Sequence, residues 1–135
     1  MAKYTPGHFV LKVRRSRTGR GLFTESKIPR GVCIIEYRGR PVSPDTDGPR
    51  GGKYLFWTSD TEMIDGNIPH NPAKYINHSC KPNCEPRGPK GKVFIFSTRT
   101  IKPGEELTYD YGAEYVMQHF AVSGCLCASC VPVQP

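Results

Sequence analysis

No uninterrupted apolar run in this chain approaches the roughly 20 residues that a membrane-spanning helix needs. The first residues, Met1-Ala2-Lys3-Tyr4-Thr5-Pro6-Gly7-His8, contain no hydrophobic leader stretch, so no secretory signal is expected and an intracellular setting follows. Apolar residues are scarce, at 37%, below the usual level of globular chains. Helical periodicity is almost missing as well, and Glu114 to Ala121, stopped by Gly124, is the one short helix expected. No βαβ unit carries a dinucleotide fingerprint. The Gly19/Gly21 pair is too short for one, and no long amphipathic helix follows it, which excludes a Rossmann-type site. Basic helices and zinc-finger spacings are also wanting. The excess of 19 Lys+Arg over 12 Asp+Glu, net +7, therefore reads as solubility before it reads as a nucleic-acid surface. Direct nucleic-acid binding stays open.

What is abundant is turn chemistry, with Gly 14 and Pro 13 in 135 residues. That length suits one domain with a modest core. Strands are expected at Phe9–Val13, Val32–Tyr37, Tyr54–Trp57, Met63–Asp65, Val93–Thr98 and Leu107–Tyr111, where β-branched and aromatic residues gather. Cys33 is read as a core thiol. The stretch from Pro41 to Lys53 has the composition of a loop, and Pro72 suits the first position of a helical turn leading into Asn77. Ile28-Pro29-Arg30-Gly31 and Ile101-Lys102-Pro103-Gly104 echo one another, which suggests two similar hairpins. The expected fold class is mostly β, built of short strands.

Tyr75-Ile76-Asn77-His78-Ser79-Cys80-Lys81-Pro82-Asn83-Cys84 concentrates an amide, an imidazole, a hydroxyl and two thiols behind two residues suited to the core. Near the end, Cys125, Cys127 and Cys130 crowd three thiols together. Six cysteines without a leader read as metal ligands or reduced thiols rather than disulfides. Three thiolates this close suggest a shared cation, and a structural zinc ion takes four ligands. Cys80 and Cys84 are candidates for the fourth, with His78 and His119 behind them. The competing reading is three unbound thiols in a frayed end.

Asn77-His78-Ser79-Cys80-x-Pro82-Asn83, followed by Gly104-Glu105-Glu106-Leu107-Thr108-Tyr109-Asp110-Tyr111-Gly112, resembles the SET-domain protein lysine methyltransferases. Gly19-Arg20-Gly21-Leu22-Phe23 and Glu36-Tyr37-x-Gly39 stand in the matching order. The resemblance implies a SET fold (β-clip-like) over residues 8–112, of short twisted sheets with a C-terminal pseudoknot. A post-SET-like tail follows over 113–135. It implies S-adenosylmethionine on one face, near Gly19, Arg20, Gly21, Tyr54, Asn77 and His78, and a substrate lysine on the other. It also implies one structural zinc ion on Cys80, Cys125, Cys127 and Cys130. The tail has two residues between its last two cysteines where the family commonly has four, and Lys74 stands where arginine is usual.

By the same resemblance, Tyr111 is the expected catalytic tyrosine, with Tyr37 and Tyr109 as further walls of the lysine channel. A core aromatic at strand spacing competes with the catalytic role at Tyr37 and Tyr109. A hydroxyl at Tyr109 occupies volume that further methyl groups would need, which implies mono- or limited dimethylation. His78 is kept out of proton transfer, Asp110 is assigned a structural hydrogen bond, and Glu105 and Glu106 are read as a turn edge or ion-pair partners. The expected partner is a lysine-bearing protein, such as a histone or another basic protein, met by acidic groups among Asp60, Glu62 and Asp65. No membrane partner is expected, and monomer and homodimer are equally open. The setting is cytoplasmic in a bacterium, or nuclear or chromatin-associated in a eukaryote or a host. The competing class is a non-catalytic zinc-bearing module that binds protein or nucleic acid through its basic face.

Overall fold

The computed structural model describes residues 4–16, 19–42, 55–57, 63–89 and 91–110. In chain order the described strands are β1 (Leu11–Ser16), β2 (Gly19–Thr24), β3 (Cys33–Tyr37), β4 (Arg40–Val42), β5 (Leu55–Trp57), β6 (Met63–Asp65), β7 (Asn77–His78), β8 (Cys84–Arg87), β9 (Val93–Ser97) and β10 (Thr108–Tyr109). Among the described residues a 3₁₀ turn, Pro72–Tyr75, precedes β7. The fold is mostly β, as expected. Tyr54, the helix expected over Glu114 to Ala121 and everything from Tyr111 onward lie outside the described residues.

The strands form four small sheets: antiparallel β1-β2, β3-β9-β8 and β4-β6-β5, and a parallel β7-β10 pair. β9 is the central strand of the second sheet, and all five of its residues are buried. Alternate side chains leave a strand on opposite faces, so β9 serves two cores. Val93 and Ile95 pack with Leu22, Ile28, Ile76 and Leu107, whereas Phe94 and Phe96 pack with Cys33. Tyr4 closes that second cluster, stacked on Phe94 at 5.4 Å between centroids and edge-on to Phe96 at 5.9 Å. Complete burial of Ile95 contributes about 1.5–3 kcal/mol.

β4 and β8 were not foreseen. Each contains a proline, Pro41 and Pro86, and each lies at the edge of its sheet, where a missing N–H costs no ladder bond. The start of the expected loop at Pro41 is therefore strand. The two echoing turns share their geometry, with Gly31 at φ 78° and Gly104 at φ 91°, in the left-handed region that favours glycine. They also bridge each other. Ile28 N donates to Ile101 O at 2.9 Å and Ile101 N to Ile28 O at 2.8 Å, with both side chains fully buried.

Asn71 holds the end of β3 to the end of β6. Its Nδ2 donates to Gly66 O at 2.9 Å, and its Oδ1 accepts from Arg38 N at 3.0 Å. The same junction seats Tyr37, because a Cβ at Gly66 would fall within the Tyr37 ring, 2.6 Å from Cζ. Replacing Asn71 with Ala strands the buried Gly66 carbonyl and the partly buried Arg38 N–H. The expected loss is about 2–4 kcal/mol, read as a lower urea midpoint with unchanged slope. A midpoint within error of wild type would show that the junction holds without this side chain.

Candidate active site

The Asn77–Asn83 and Gly104–Asp110 stretches meet as neighbouring strands. Ile76, almost wholly buried, fixes the exit of the 3₁₀ turn. The next two residues then pair in parallel with β10, Asn77 opposite Thr108 and His78 opposite Tyr109. Ser79 N extends the contact by donating to Tyr109 O at 3.1 Å. The other edge of the 105–107 segment meets β2, where Leu107 N donates to Leu22 O at 2.8 Å and Thr24 N to Glu105 O at 3.1 Å. Three stretches distant in sequence are thereby brought side by side.

Asn77 lies at their junction. Its Nδ2 donates to Glu106 Oε2 at 2.7 Å and to Arg20 O at 2.8 Å, with Ser16 Oγ at 3.1 Å. Asn83 grips the same segment from the other side. Its Nδ2 donates to Glu106 O at 2.8 Å, and its Oδ1 accepts from Thr108 N at 2.9 Å. Glu106 is half-buried, and burial pushes its carboxyl above the ordinary value while the Asn77 hydrogen bond pulls it back. Glu105, by contrast, is the expected ion-pair partner. It binds Arg99 at 2.9 Å and accepts from Lys102 N at 2.6 Å, and the Arg99 hydrogen bond holds its carboxyl low. Glu106 thus departs from the expectation of a turn edge or ion pair, since its carboxylate takes an amide hydrogen inside the fold.

Of the residues assigned to the cofactor, the structure unites Gly19, Arg20 and Gly21 at the start of β2 with Asn77 and His78 in β7. Gly19 has φ 121°, and a Cβ there would meet nothing within 4 Å, so its backbone is open to close approach. The Arg20 guanidinium lies 5.9 Å from the Tyr75 ring centre, and Lys74 Nζ lies 5.2 Å from the same ring. His78 is buried. Its Nδ1 faces Asp110 Oδ1 at 3.7 Å, and its Nε2 lies 3.3 Å from Cys80 Sγ. Tyr37 and Tyr109 belong to one buried cluster. Tyr54 and Tyr111 are among the residues not described.

The zinc expectation is corrected. Among the described residues, no group of three or more His, Cys, Asp or Glu side chains is placed to hold a metal ion. The Cys80 thiol is exposed and neighbours the His78 imidazole, while Cys84, the other candidate, is buried with its thiol directed to Asn83 Oδ1 at 3.3 Å. Cys125, Cys127 and Cys130 lie outside the described residues. Asp65 also differs from expectation. It bonds Arg40 at 3.4 Å and accepts from Asn67 N at 2.9 Å, so it is engaged within the fold rather than reserved for a basic substrate. Asp60 and Glu62 are not described.

No signal in the sequence marked the Asn77–Glu106 bond or the room that Gly66 leaves for Tyr37. The role of the motif asparagine Asn83 is visible only in the structure.

Comparison with known proteins places this geometry in context. The SET domain profile matches residues 19–112. Histone-lysine N-methyltransferase 2B of Homo sapiens is 43% identical over 106 residues, covering 69% of this chain and 4% of that protein. Histone-lysine N-methyltransferase trithorax of Drosophila virilis is 42% identical over 106 residues, covering 69% of this chain and 3% of its own length. The histone-lysine N-methyltransferase, H3 lysine-4 specific, of Chaetomium globosum is 35% identical over 123 residues, covering 81% of this chain and 11% of that protein. The chain thus spans only a small fraction of the length of these relatives.

The described thiols should differ in reactivity. Burial pushes Cys84 up to about 12, against smaller opposing effects of Thr108 and Arg99, and raises Cys33. Iodoacetamide at pH 8, followed by peptide mapping, should label Cys80 at least about tenfold faster than Cys33 or Cys84, because the thiolate is the reactive form. Equal protection of Cys80 would overturn this reading of its exposure.

Proposed function

The chain belongs to the SET-domain family, and on that premise we propose that it is a protein-lysine N-methyltransferase acting on a histone or similarly basic protein. The observation that carries the proposal is the junction at Asn77, where the Gly19–Gly21, Asn77–Asn83 and Gly104–Asp110 stretches share hydrogen bonds. S-adenosylmethionine supplies the methyl group. In this reading Gly19, Arg20, Gly21, Tyr54, Asn77 and His78 hold it. The open backbone at Gly19, beside the Asn77 side chain that Arg20 O and Glu106 Oε2 hold, fits a ligand that carries an amino-acid end.

Transfer to an amine requires a neutral nucleophile, yet lysine in water is protonated up to about pH 10.4. An apolar passage next to a positive charge lowers that value by desolvation and like-charge repulsion, so no dedicated general base is needed. The chain's part is to orient the amine. We assign that role to Tyr111, with Tyr37 and Tyr109 as walls, since a phenol provides both an apolar face and an oxygen that accepts. Tyr37 and Tyr109 lie in the same buried cluster, which supports a shared passage. The Tyr109 hydroxyl limits the product to mono- or limited dimethylation. The reading includes the family's C-terminal pseudoknot, supported by the parallel β7-β10 pair and the Phe23–Glu106 bridge.

Labelled S-adenosylmethionine with a histone mixture tests the assignment. Tyr111→Phe should lower the transfer rate by about 100-fold or more while calorimetric binding of S-adenosylmethionine persists, and full rate in this variant overturns the role of Tyr111. Tyr109→Phe should shift the product toward higher methylation by mass spectrometry, and an unchanged product overturns the volume argument.

A further inference from the structure

We propose that Glu106 is a positioning residue for the cofactor, acting through Asn77. The proposal rests on the methyltransferase reading. An asparagine amide can turn either end toward a site, since its two ends have nearly the same shape and opposite hydrogen-bonding character. At Asn77 the choice is removed by the groups around it. Arg20 O, a backbone carbonyl, can only accept, and so can an ionised Glu106 carboxylate. They lie 2.8 Å and 2.7 Å from the amide nitrogen. These two take its two hydrogens, and Ser16 Oγ at 3.1 Å is a third, longer neighbour. The Asn77 NH₂ is thus committed inward, which turns its carbonyl oxygen the other way, as an acceptor. Among the described residues no donor reaches that oxygen. A ligand with an N–H donor, such as the ammonium of an amino-acid end, meets an amide already set to receive it.

Glu106 can do this because it is itself held. Asn83 fixes its backbone carbonyl, and the Phe23 bridge fixes its position on the edge of β2. The absence of a side chain at Gly21 makes room for the carboxyl group, since a Cβ there would lie 2.9 Å from Glu106 Cδ and 3.1 Å from Ser16 Cβ. Gly21 thus leaves open the space that the carboxylate occupies. An acceptor set in advance loses less ordering free energy on binding than one that must choose its orientation.

Calorimetric titration of S-adenosylmethionine into the full chain tests the proposal, with each variant's urea midpoint recorded alongside. Glu106→Leu should weaken binding by about tenfold or more, the scale of a hydrogen bond to a charged group. Glu106→Gln should bind within about threefold of wild type, because a glutamine carbonyl can accept the same N–H. Asn77→Ala should weaken binding, and adding Glu106→Leu to it should bring no further loss, as expected when one residue acts through the other. Glu106→Ala, which removes the acceptor without adding apolar bulk, should reproduce the loss in the wild-type background and not in Asn77→Ala, and it serves if Glu106→Leu does not fold. Multiplicative losses in the double variants, or wild-type affinity in both Glu106→Leu and Glu106→Ala, would overturn the positioning role while leaving the methyltransferase reading intact. Failure of the folded wild-type chain to bind S-adenosylmethionine would overturn that reading, and this proposal with it.

Discussion

Amides drawn into a fold must find partners, and the buried Asn71 and Asn83 with the half-buried Asn77 turn that requirement into the frame of this molecule. An unpaired polar group inside a protein costs about 1–3 kcal/mol, so each buried amide selects the arrangement that satisfies it. Asn71 joins the ends of β3 and β6, Asn83 clasps the 106–108 segment, and Asn77 ties β7 to β2 and Glu106. The described strands are short, several only two or three residues long, and ladders of that length hold little by themselves. Side-chain amides that reach across sheets supply the register that longer ladders would otherwise provide. Without the Asn77 and Asn83 contacts, β10 would rest on its two-residue parallel pairing and on the backbone bonds of its neighbours Ser79 and Leu107.

Around this polar frame, the apolar residues do less to specify position and more to exclude water. β9 shows the division clearly, with Ile95 and Phe96 serving opposite cores from adjacent positions. The paired turns at Ile28 and Ile101 bring two fully buried isoleucines together, and Ser97 locks the first turn by donating to Pro29 O at 2.6 Å and accepting from Val32 N at 3.1 Å. The turn that leads into β10 is thus anchored to the turn that leads into β3. Since β3 carries Tyr37 and β10 carries Tyr109, the two buried tyrosines are positioned by one set of contacts.

Much of this was legible in the sequence. β3, β6 and β9 carry dense β-branched and aromatic residues, and their expected positions agree with the observed ones to within one residue. The two motif stretches announced a shared site, and they do pair. Strands β2 and β7 were not expected, and the rest of what escaped was of two physical kinds. Edge strands β4 and β8 tolerate proline, so a local rule against proline in strands hid them. The Asn77–Glu106 bond joins residues 29 apart in sequence, and no local pattern encodes such a contact. The zinc expectation failed for a related reason, because the cysteine count named possible ligands without showing whether the fold gathers them. Among the described residues it does not.

The charge balance sets a last constraint on how a basic substrate could be recognised. The chain is net +7, so its long-range field repels a lysine-rich tail instead of steering it inward. Many of the acids are also engaged within the fold, as Glu25 is with Arg14, Asp65 with Arg40, Glu85 with Arg87 and Glu105 with Arg99. These pairs are partly exposed and contribute little to stability, but they neutralise the carboxylates that would otherwise attract cations. Selection of a lysine on the proposed reading therefore has to act at short range, at the apolar passage proposed near Tyr37 and Tyr109. Association under such a field should become faster as salt screens the repulsion, the reverse of the behaviour of a site that captures basic tails by charge.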